Sequence, residues 1–228
     1  MSASDAKPVL VAWSGGKDAA NALERLRADP AWRVVGVVTT VTQGYDRIAI
    51  HGVRRSVLEA QVARLGLPLY EAQIPPQATN EQYETAFAQA LAHARAREPA
   101  LDSIAFGDLF LADVRAYREA LLARLGWRGV YPLWGENTIA LARTMIARGY
   151  RAVLTCVDTQ QLDADFCGRE FDGALLDALP TGCDPCGENG EFHTLVYAGP
   201  LWDKPIALTR GERVLREQRF QYVDLIEA

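Results

Sequence analysis

Near the start of the sequence, an apolar strand pattern is followed by a turn with two glycines and then at once by a helix pattern. Residues 9–13 are all apolar, as in a strand buried on both faces of a parallel sheet. Ser14, Gly15 and Gly16 follow, and helix-forming residues begin at Lys17. Adjacent glycines permit positive φ and a close approach of a ligand to the backbone. The N–H groups of such a turn and of the helix N-terminus favour an anion, so this segment predicts a phosphate cradle with Lys17 as a mobile positive charge.

The spacing excludes two other phosphate-binding loops. The P-loop needs a glycine five residues before the Gly-Lys pair and a Ser or Thr after the lysine, but Val11 and Asp18 occupy those positions. The dinucleotide pattern G-x-G-x-x-G is absent from the segment as well. Ser14-Gly-Gly-Lys-Asp18 after a strand instead resembles the PP-loop of ATP pyrophosphatases, which cleave ATP to AMP and pyrophosphate. The alternative is a tight turn without a ligand.

Strand and helix patterns alternate through the first 130 residues. Further strands are predicted at 34–40, 69–74 and 103–106, and helices at 53–65, 80–98 and 112–125. This alternation predicts an α/β fold, a parallel sheet with helices on both faces. Ligands of such sheets bind beyond the carboxyl ends of the strands, where Ser14, Thr39, Thr40 and Asp108 fall.

The pattern changes after residue 131. A helix at 137–148, a strand at 152–157, a helix at 170–179 and strand segments from His193 predict a smaller α+β part. Arg210-Gly211 is expected to form a hairpin turn. We therefore expect a nucleotide-binding domain over residues 1–130 and a C-terminal substrate-binding subdomain over residues 131–228.

Composition excludes several other classes of protein. The 228 residues carry a net charge of −5, which disfavours a large nucleic-acid surface. The polar N-terminal residues have no signal-peptide core, and no apolar run approaches the length of a membrane span. We expect a cytoplasmic protein.

The four cysteines do not form a recognisable metal site. They are Cys156, Cys167, Cys183 and Cys186. Only the last two form a C-x-x-C pair, which is compatible with redox chemistry, half of a metal site, thiolation or an incidental turn. Because a reducing cytosol disfavours disulfides and no second C-x-x-C is present, the incidental turn is the favoured interpretation.

A second cluster of functional groups lies at residues 186–194. It contains two carboxylates (Glu188 and Glu191), His193 and Thr194, set among glycines. Carboxylates in a flexible turn can bind Mg²⁺ or position an incoming amine, and a histidine can act as an acid or a base near neutral pH. The alternative is a solvated polar turn that leads into a strand.

Together, the two clusters resemble the diphthine–ammonia ligase family of the PP-loop, adenine-nucleotide alpha-hydrolase-like superfamily. The likeness covers nearly the whole chain. It rests on Ser14-Gly-Gly-Lys-Asp18, His51-Gly52 with Leu67-Pro-Leu-Tyr70, Phe106-Gly-Asp-Leu109, Tyr131-Pro-Leu-Trp134 and Gly187-Glu-Asn-Gly-Glu-Phe-His-Thr194 with Gly199-Pro-Leu201. The resemblance implies a three-layer Rossmann-like (HUP-type) parallel sheet that carries the PP-loop, with the smaller α+β part at the C-terminal end.

The resemblance also implies a reaction. ATP adenylates a substrate carboxylate with release of pyrophosphate, and ammonia then displaces AMP to leave an amide, as in diphthamide biosynthesis. The implied partners are ATP, Mg²⁺, ammonia and a carboxylate acceptor, such as a modified histidine of a translation elongation factor, and the class suggests a homodimer.

The family motifs imply residues for each role. The catalytic set is Lys17, Asp18, Glu188, Glu191 and His193. The nucleotide-binding set is Ser14, Gly15, Gly16, Lys17, Asp18, Thr39, Gly107 and Asp108, with Asp18 and Asp108 for Mg²⁺. The acceptor-binding set is His51, Trp134, Glu188, Asn189, Gly190, Glu191 and Thr194.

Two departures from the family pattern bear on this interpretation. Ala19 stands where the loop usually has a serine, so one hydroxyl contact to phosphate is missing. Asn189 and Phe192-His193 differ from the Gly- and Tyr-Glu-containing form of many relatives. Two other functions stay open. One is a tRNA-thiolating enzyme that uses Cys183 or Cys186, since PP-loop enzymes often modify tRNA bases. The other is a non-catalytic adenine-nucleotide-binding protein, which only Ala19 favours.

Overall fold

The glycine turn joins the central strand of a parallel sheet to its first helix. The computed structural model of the protein describes residues 6–49 and 51–228. Strand β1 (Lys7–Ala12) is followed by the turn and by helix α1 (Lys17–Ala28). Residues 9–11 of β1 are fully buried, because the strand has neighbours at both edges and helices on both faces.

Among the described residues, six strands form the first sheet. They are β1, β2 (Trp32–Thr42), β3 (Arg47–Ile48), β4 (Leu69–Ile74), β5 (Ser103–Ala105) and β6 (Arg128–Val130). Five of them run parallel in the spatial order β4-β2-β1-β5-β6, and the short β3 pairs antiparallel with the end of β2. Along the chain, β2 and β4 are added on one side of β1, and the chain then crosses to the other side of β1 to add β5 and β6. The direction in which strands are added therefore reverses between β1 and β5. The carboxyl ends of strands at such a switch point form the usual ligand crevice of an open α/β sheet.

Helices cover both faces of this sheet. Helix α1 and helix α2 (Arg55–Leu65) pack on one face, with Leu23 and Leu58 in the same core as Val9 and Val11. Helix α3 (Asn80–Arg97) and helix α4 (Ala112–Arg124) pack on the other face. The three-layer, Rossmann-like arrangement expected from the alternating pattern is confirmed.

The C-terminal part forms a second, antiparallel sheet. It contains α5 (Thr138–Ala147), β7 (Arg151–Asp158), a 3₁₀ turn (Ala164–Phe166), α6 (Gly173–Ala178), β8 (Phe192–Ala198), β9 (Leu208–Arg216) and β10 (Phe220–Glu227). The strand order is β8-β7-β10-β9. Residues of β7 and β8 share a core with β1 and α1, so the second sheet packs against the helix that follows the glycine turn. A boundary between domains at residue 130 stays a prediction.

The prediction of a hairpin turn at Arg210-Gly211 is wrong. Strand β9 runs straight through these residues, and a bulge places Gly211 and Glu212 opposite Asp224 of β10. The chain reverses instead at Glu217 and Gln218, which both have positive φ. Within the described ranges, no helix is both long and apolar enough to cross a membrane.

Candidate active site

The glycine turn is held in one conformation by residues far away in the sequence. Gly15 has φ +79°, which strains any residue with a side chain. Its carbonyl oxygen accepts hydrogen bonds from the Val196 amide at 2.9 Å and from the Gln61 side-chain nitrogen at 3.0 Å. The next amide, that of Gly16, donates to Ser14 Oγ at 3.3 Å. The turn is therefore pre-formed and fastened to β8.

The start of α1 is capped from the C-terminal part of the chain. Gly16 occupies the N-cap position and has no side chain to offer. Thr194 of β8 supplies the missing acceptor, since its hydroxyl accepts from the Lys17 amide at 3.1 Å. One of the unsatisfied helix amides is thereby removed from the set expected to bind an anion. The predicted acceptor-binding residue Thr194 thus lies against the predicted nucleotide loop.

The Lys17 side chain joins the two clusters directly. It is only 2% exposed, and its ammonium group donates to Asp18 Oδ2 at 2.8 Å and to the Cys186 carbonyl oxygen. The rings of Phe171 and Phe192 lie 5.7 and 5.6 Å from the same nitrogen. Burial opposes the charge most strongly, but attraction to Asp18, with smaller contributions from Cys186 and Glu188, together outweighs it and raises the pKa of Lys17 above its ordinary value. A fixed positive charge therefore lies between the glycine turn and the segment 186–194.

Asp18 and Asp108 lie on neighbouring elements at the switch point. Gly107 packs so closely on α1 that a Cβ there would lie 2.7 Å from the Asp18 carbonyl carbon, which explains the glycine in the loop that follows β5. Asp108 forms an ion pair with Arg118 of α4 at 2.8 Å. Burial raises the pKa of Asp18, and Lys17 opposes this shift.

These residues fit Mg²⁺ only in part. Asp18 Oδ1 is buried and accepts no hydrogen bond from the described residues, so it is available to a cation. Asp108, by contrast, already faces the guanidinium of Arg118. Residues 6–49 and 51–228 contain no group of three or more His, Cys, Asp or Glu side chains that could hold a metal ion. Asp18 is therefore the residue that would hold Mg²⁺ here.

The turn at residues 183–191 is shaped by two carboxylates. Asp184 Oδ1 accepts from the amides of Cys186 at 2.9 Å and Glu188 at 3.2 Å. Glu191, 3% exposed, accepts from the Asp184 amide at 2.8 Å and from the Asn189 side-chain nitrogen at 3.0 Å. The predicted catalytic Glu191 is thus engaged in holding its own segment together.

Glu188 reaches across to the other side of the crevice. Its Oε1 atom accepts from the amides of Leu109 at 2.7 Å and Phe110 at 3.3 Å, which follow β5. Burial raises the pKa of Glu188, and the Leu109 amide offsets part of this shift. The segment 186–194 therefore touches both the turn after β1 and the loop after β5.

His51 and His193 form a pair of neutral rings beside the turn. Their ring centroids lie 4.6 Å apart, and His51 lies next to Gly16. Burial, together with the Lys17 charge, lowers the pKa of His193 to about 4. Burial and the neighbouring His193 ring hold the pKa of His51 well below its ordinary value. At neutral pH both rings can accept protons or hydrogen bonds, but neither is a cationic acid.

Thr39 and Trp134 lie farther from this centre. Thr39 is buried in β2 opposite Glu71, and within the described ranges no hydrogen bond joins it to the glycine turn. Trp134 packs edge-on against Tyr131, with the guanidinium of Arg115 4.6 Å from its ring centroid. Their assigned roles stay predictions.

Gln61 and Asp184 are site residues that were missed in the sequence. Both act by hydrogen bonding to backbone groups of other segments. Gln61 carried one signal: it interrupts the apolar face of α2 between Leu58 and Leu65. A lone glutamine at such a position indicates a buried polar contact.

The C-x-x-C pair has no activated thiol. All four cysteines are free. Burial raises the pKa of both Cys183 and Cys186 to about 12, and Cys186 donates to the Thr138 carbonyl oxygen at 3.3 Å. A thiolate is the reactive form of cysteine, so this environment disfavours thiolation and redox chemistry.

The fold and this site define a Rossmann-like α/β protein with a preformed glycine turn and a buried lysine at the switch point of its sheet. Residues 7–129 match the family model described as diphthamide synthase N-terminal domain, and residues 137–225 match that of the diphthamide synthase C-terminal domain. The chain therefore belongs to the diphthamide synthase, or diphthine–ammonia ligase, family, as its motifs predicted.

Two curated relatives carry the name diphthine–ammonia ligase. The fission yeast protein (Schizosaccharomyces pombe) is 27% identical over 183 residues, which cover 74% of this chain and 30% of the relative. The mouse protein (Mus musculus) is 29% identical over 120 residues, which cover 50% of this chain and 45% of the relative. The chain thus matches less than half the length of either relative.

Proposed function

We propose that this protein is an ATP-dependent ligase that converts a substrate carboxylate to an amide with ammonia in the cytoplasm. A carboxylate oxygen attacks the α-phosphorus of ATP and pyrophosphate leaves. Ammonia then attacks the acyl carbon, the bond to AMP breaks, and the nitrogen loses a proton. Family membership supports the reaction class. The observation that carries the proposal is the contact of the Lys17 ammonium with the Cys186 carbonyl oxygen, which joins the two family motifs in one crevice.

The roles follow from the chemistry of each group. Lys17, held protonated by Asp18, would balance negative charge on the departing pyrophosphate. The Gly16 amide and Ser14 hydroxyl would contact phosphate oxygens. Magnesium, where bound with the nucleotide, supplies further charge neutralisation, and Asp18 would hold it.

The acceptor side is assigned to the segment 186–194. We propose that Glu188 and His193 face the acceptor or the ammonia, because Glu188 lies between Asp18 and the loop after β5. Glu191 would act by shaping this segment, since its carboxylate binds the Asp184 amide. The name of the matched relatives makes diphthine the first acceptor to test, which the family resemblance places on a modified histidine of a translation elongation factor. A homodimer stays a prediction.

The test is the fate of ATP labelled at the α-phosphate. The protein is incubated with this ATP, Mg²⁺, isotope-labelled ammonium and an extract of the host cell. We expect the label in AMP, an equal amount of pyrophosphate in a separate assay, both formed only with extract, and labelled nitrogen in the acceptor. Lys17→Met, which fills the buried space without a charge, should lose this activity. The exposed lysine variant Lys204→Ala should keep it.

Two results would contradict the proposal. Formation of ADP would point to phosphoryl transfer. Tight ATP binding without turnover, in the presence of each candidate acceptor, would favour the nucleotide-binding protein without catalysis.

A further inference from the structure

A glutamine on the apolar face of α2 lies directly behind the glycine turn. Gln61 is completely buried, and its helical neighbours on that face are Val57, Leu58, Val62 and Leu65. An amide in such surroundings destabilises the fold unless its polar atoms find partners. Its position among apolar side chains therefore implies a specific set of hydrogen bonds.

All of those partners are present. The Gln61 oxygen accepts from the Trp13 indole nitrogen at 3.2 Å. The Gln61 nitrogen donates to the carbonyl oxygens of Gly15 at 3.0 Å and Val196 at 2.6 Å. Because an indole N–H only donates and a carbonyl only accepts, the chemistry of the partners fixes the orientation of the amide. A Cβ on Gly15 would lie 2.6 Å from the Gln61 oxygen, so the glycine leaves room for this side chain.

The hydrogen bonds that the Gly15 oxygen accepts, one of them from Gln61, determine which way the next amide points. In a trans peptide, the carbonyl of Gly15 and the N–H of Gly16 point in opposite directions. Gln61 and the Val196 amide hold the Gly15 oxygen towards α2 and β8. The Gly16 N–H must then point into the turn, where its one partner among the described residues is Ser14 Oγ at 3.3 Å. That bond is long, so an anion can replace it.

We propose that Gln61 is a positioning residue that orients the Gly16 amide towards the phosphates of the bound nucleotide. The proposal rests on the proposed nucleotide site, and it assigns to α2 a part in phosphate binding. Gln61 also links the turn to β8 through Val196, so the same amide sets the turn against the strand that carries His193 and Thr194.

The decisive variant is Gln61→Glu. It keeps an oxygen for the Trp13 indole but places a second oxygen against the two carbonyls, and even a protonated carboxyl could donate to only one of them. The Gly15 peptide then keeps the Val196 amide as a donor, but the paired donation from residue 61 to the Gly15 and Val196 carbonyls is lost. We expect the affinities for ATP and for pyrophosphate to fall at least roughly tenfold, because a buried acceptor facing acceptors is strongly unfavourable. The affinity for adenosine, measured by competition with a labelled ATP analogue, should stay unchanged because adenosine has no phosphate.

Two further variants are needed, one in case the glutamate variant fails to fold and one as a matched control. Gln61→Met has a similar shape and no donor, and it should show the same loss for phosphate-bearing ligands if the glutamate variant fails to fold. Gln89→Glu makes the same chemical change on the exposed side of α3 and should bind every ligand as the wild type does. Thermal unfolding of each variant checks that the fold is retained.

The outcomes separate the two proposals. If wild type and Gln61 variants bind ATP and pyrophosphate equally, Gln61 does not position the amide. If a variant loses ATP, pyrophosphate and adenosine by the same factor, its role is structural, and the positioning proposal is overturned. If the Gln61 variants lose affinity for ATP and pyrophosphate but not for adenosine, and the wild type shows no turnover, the role of Gln61 is supported and the ligase reaction is contradicted. A wild type that binds neither ATP nor pyrophosphate would overturn both.

Discussion

The backbone amide of Lys17 donates to the hydroxyl of Thr194 at 3.1 Å, across 177 positions of sequence. Helix α1 therefore obtains its N-terminal cap from β8 of the second sheet. The same strand contributes the Val196 amide, which binds the Gly15 oxygen. Gly15 and Lys17, on either side of Gly16, are thus both fixed by the C-terminal part of the chain, and the nucleotide loop depends on both parts for its shape.

Replacing Thr194 by valine should destabilise the protein. The variant keeps the shape of the side chain but leaves the Lys17 amide without its acceptor in a buried place. Loss of a helix cap with a buried donor costs about 1–2 kcal/mol of the free energy of unfolding. Urea denaturation measures the change, and Thr209→Val on the exposed strand β9 is the control. Equal stability of the two variants would show that the cap contributes nothing.

Replacing Gly15 by alanine should lower the free energy of unfolding much more than the same change at Gly44. Both glycines have nearly the same positive φ, +79° and +78°, so the strain that arises from φ is matched. A Cβ at Gly15 meets the Gln61 oxygen at 2.6 Å, whereas a Cβ at Gly44 meets nothing within 4 Å. We expect Gly44→Ala to cost about 1 kcal/mol and Gly15→Ala roughly 2 kcal/mol more, from overpacking in the core.

Denaturation of the two alanine variants by urea, with equal slopes, gives both values. A difference below about 0.5 kcal/mol would mean that the Gln61 side chain moves aside at no cost, contrary to the tight fit behind the turn.

The sequence was sufficient for the parts of the fold that rest on long periodic patterns. The strand–turn–helix unit at residues 7–28 and the parallel sheet with helices on both faces are where the patterns placed them. Strands β3 and β6 were missed, because they have only two and three residues and, unlike the equally short but fully buried β5, include a charged residue that interrupts any apolar run. Their existence depends on the neighbouring strand to which they pair.

The hairpin between β9 and β10 was misplaced for a different reason. Gly211 gave the usual signal for a turn, but it lies in a bulge within a continuous strand. The actual turn uses Glu217 and Gln218, two residues that seldom take positive φ. The pairing of β10 with β7 and β9 outweighs that local cost, and such long-range pairing is invisible in a local pattern.

The candidate site was only partly accessible to sequence reasoning. Motifs at residues 14–18 and 186–194 indicated two clusters, and their contact through Lys17 follows from the fold. No local pattern indicates that Gln61 supports the turn or that Arg118 faces Asp108, since both contacts join separate elements.

The stability of the protein should depend on pH through His193. Its pKa is about 4 in the folded protein, against an ordinary value of 6.5. Between these two values the unfolded chain binds more protons than the folded one, so stability rises with pH in this window. We expect full stability above pH 6.5, a loss of up to about 1.4 kcal/mol per pH unit as the pH falls, and no further contribution from this residue below pH 4.

The variant His193→Gln should make the unfolding free energy less dependent on pH between 4 and 6.5. A smaller slope remains, because the pKa of His51 is also lowered. His93→Gln on the exposed side of α3 should keep the full slope. Urea titrations at half-unit pH steps measure these slopes, and identical slopes for wild type and His193→Gln would show that the ring is solvated.

The thiols of Cys183 and Cys186 should be inert in the folded protein and dispensable for ATP cleavage. With a pKa of about 12, roughly one thiol in ten thousand is ionised at pH 8, so alkylation by iodoacetamide should be slow until urea unfolds the chain. The double variant Cys183→Ser, Cys186→Ser retains groups that can donate to the Thr138 carbonyl. It should form AMP within about twofold of the wild-type rate, since serine preserves the hydrogen bond but has no reactive sulfur. Fast alkylation of the folded protein, or loss of turnover with sulfur found in tRNA only for the wild type, would favour the thiolating alternative over the ligase.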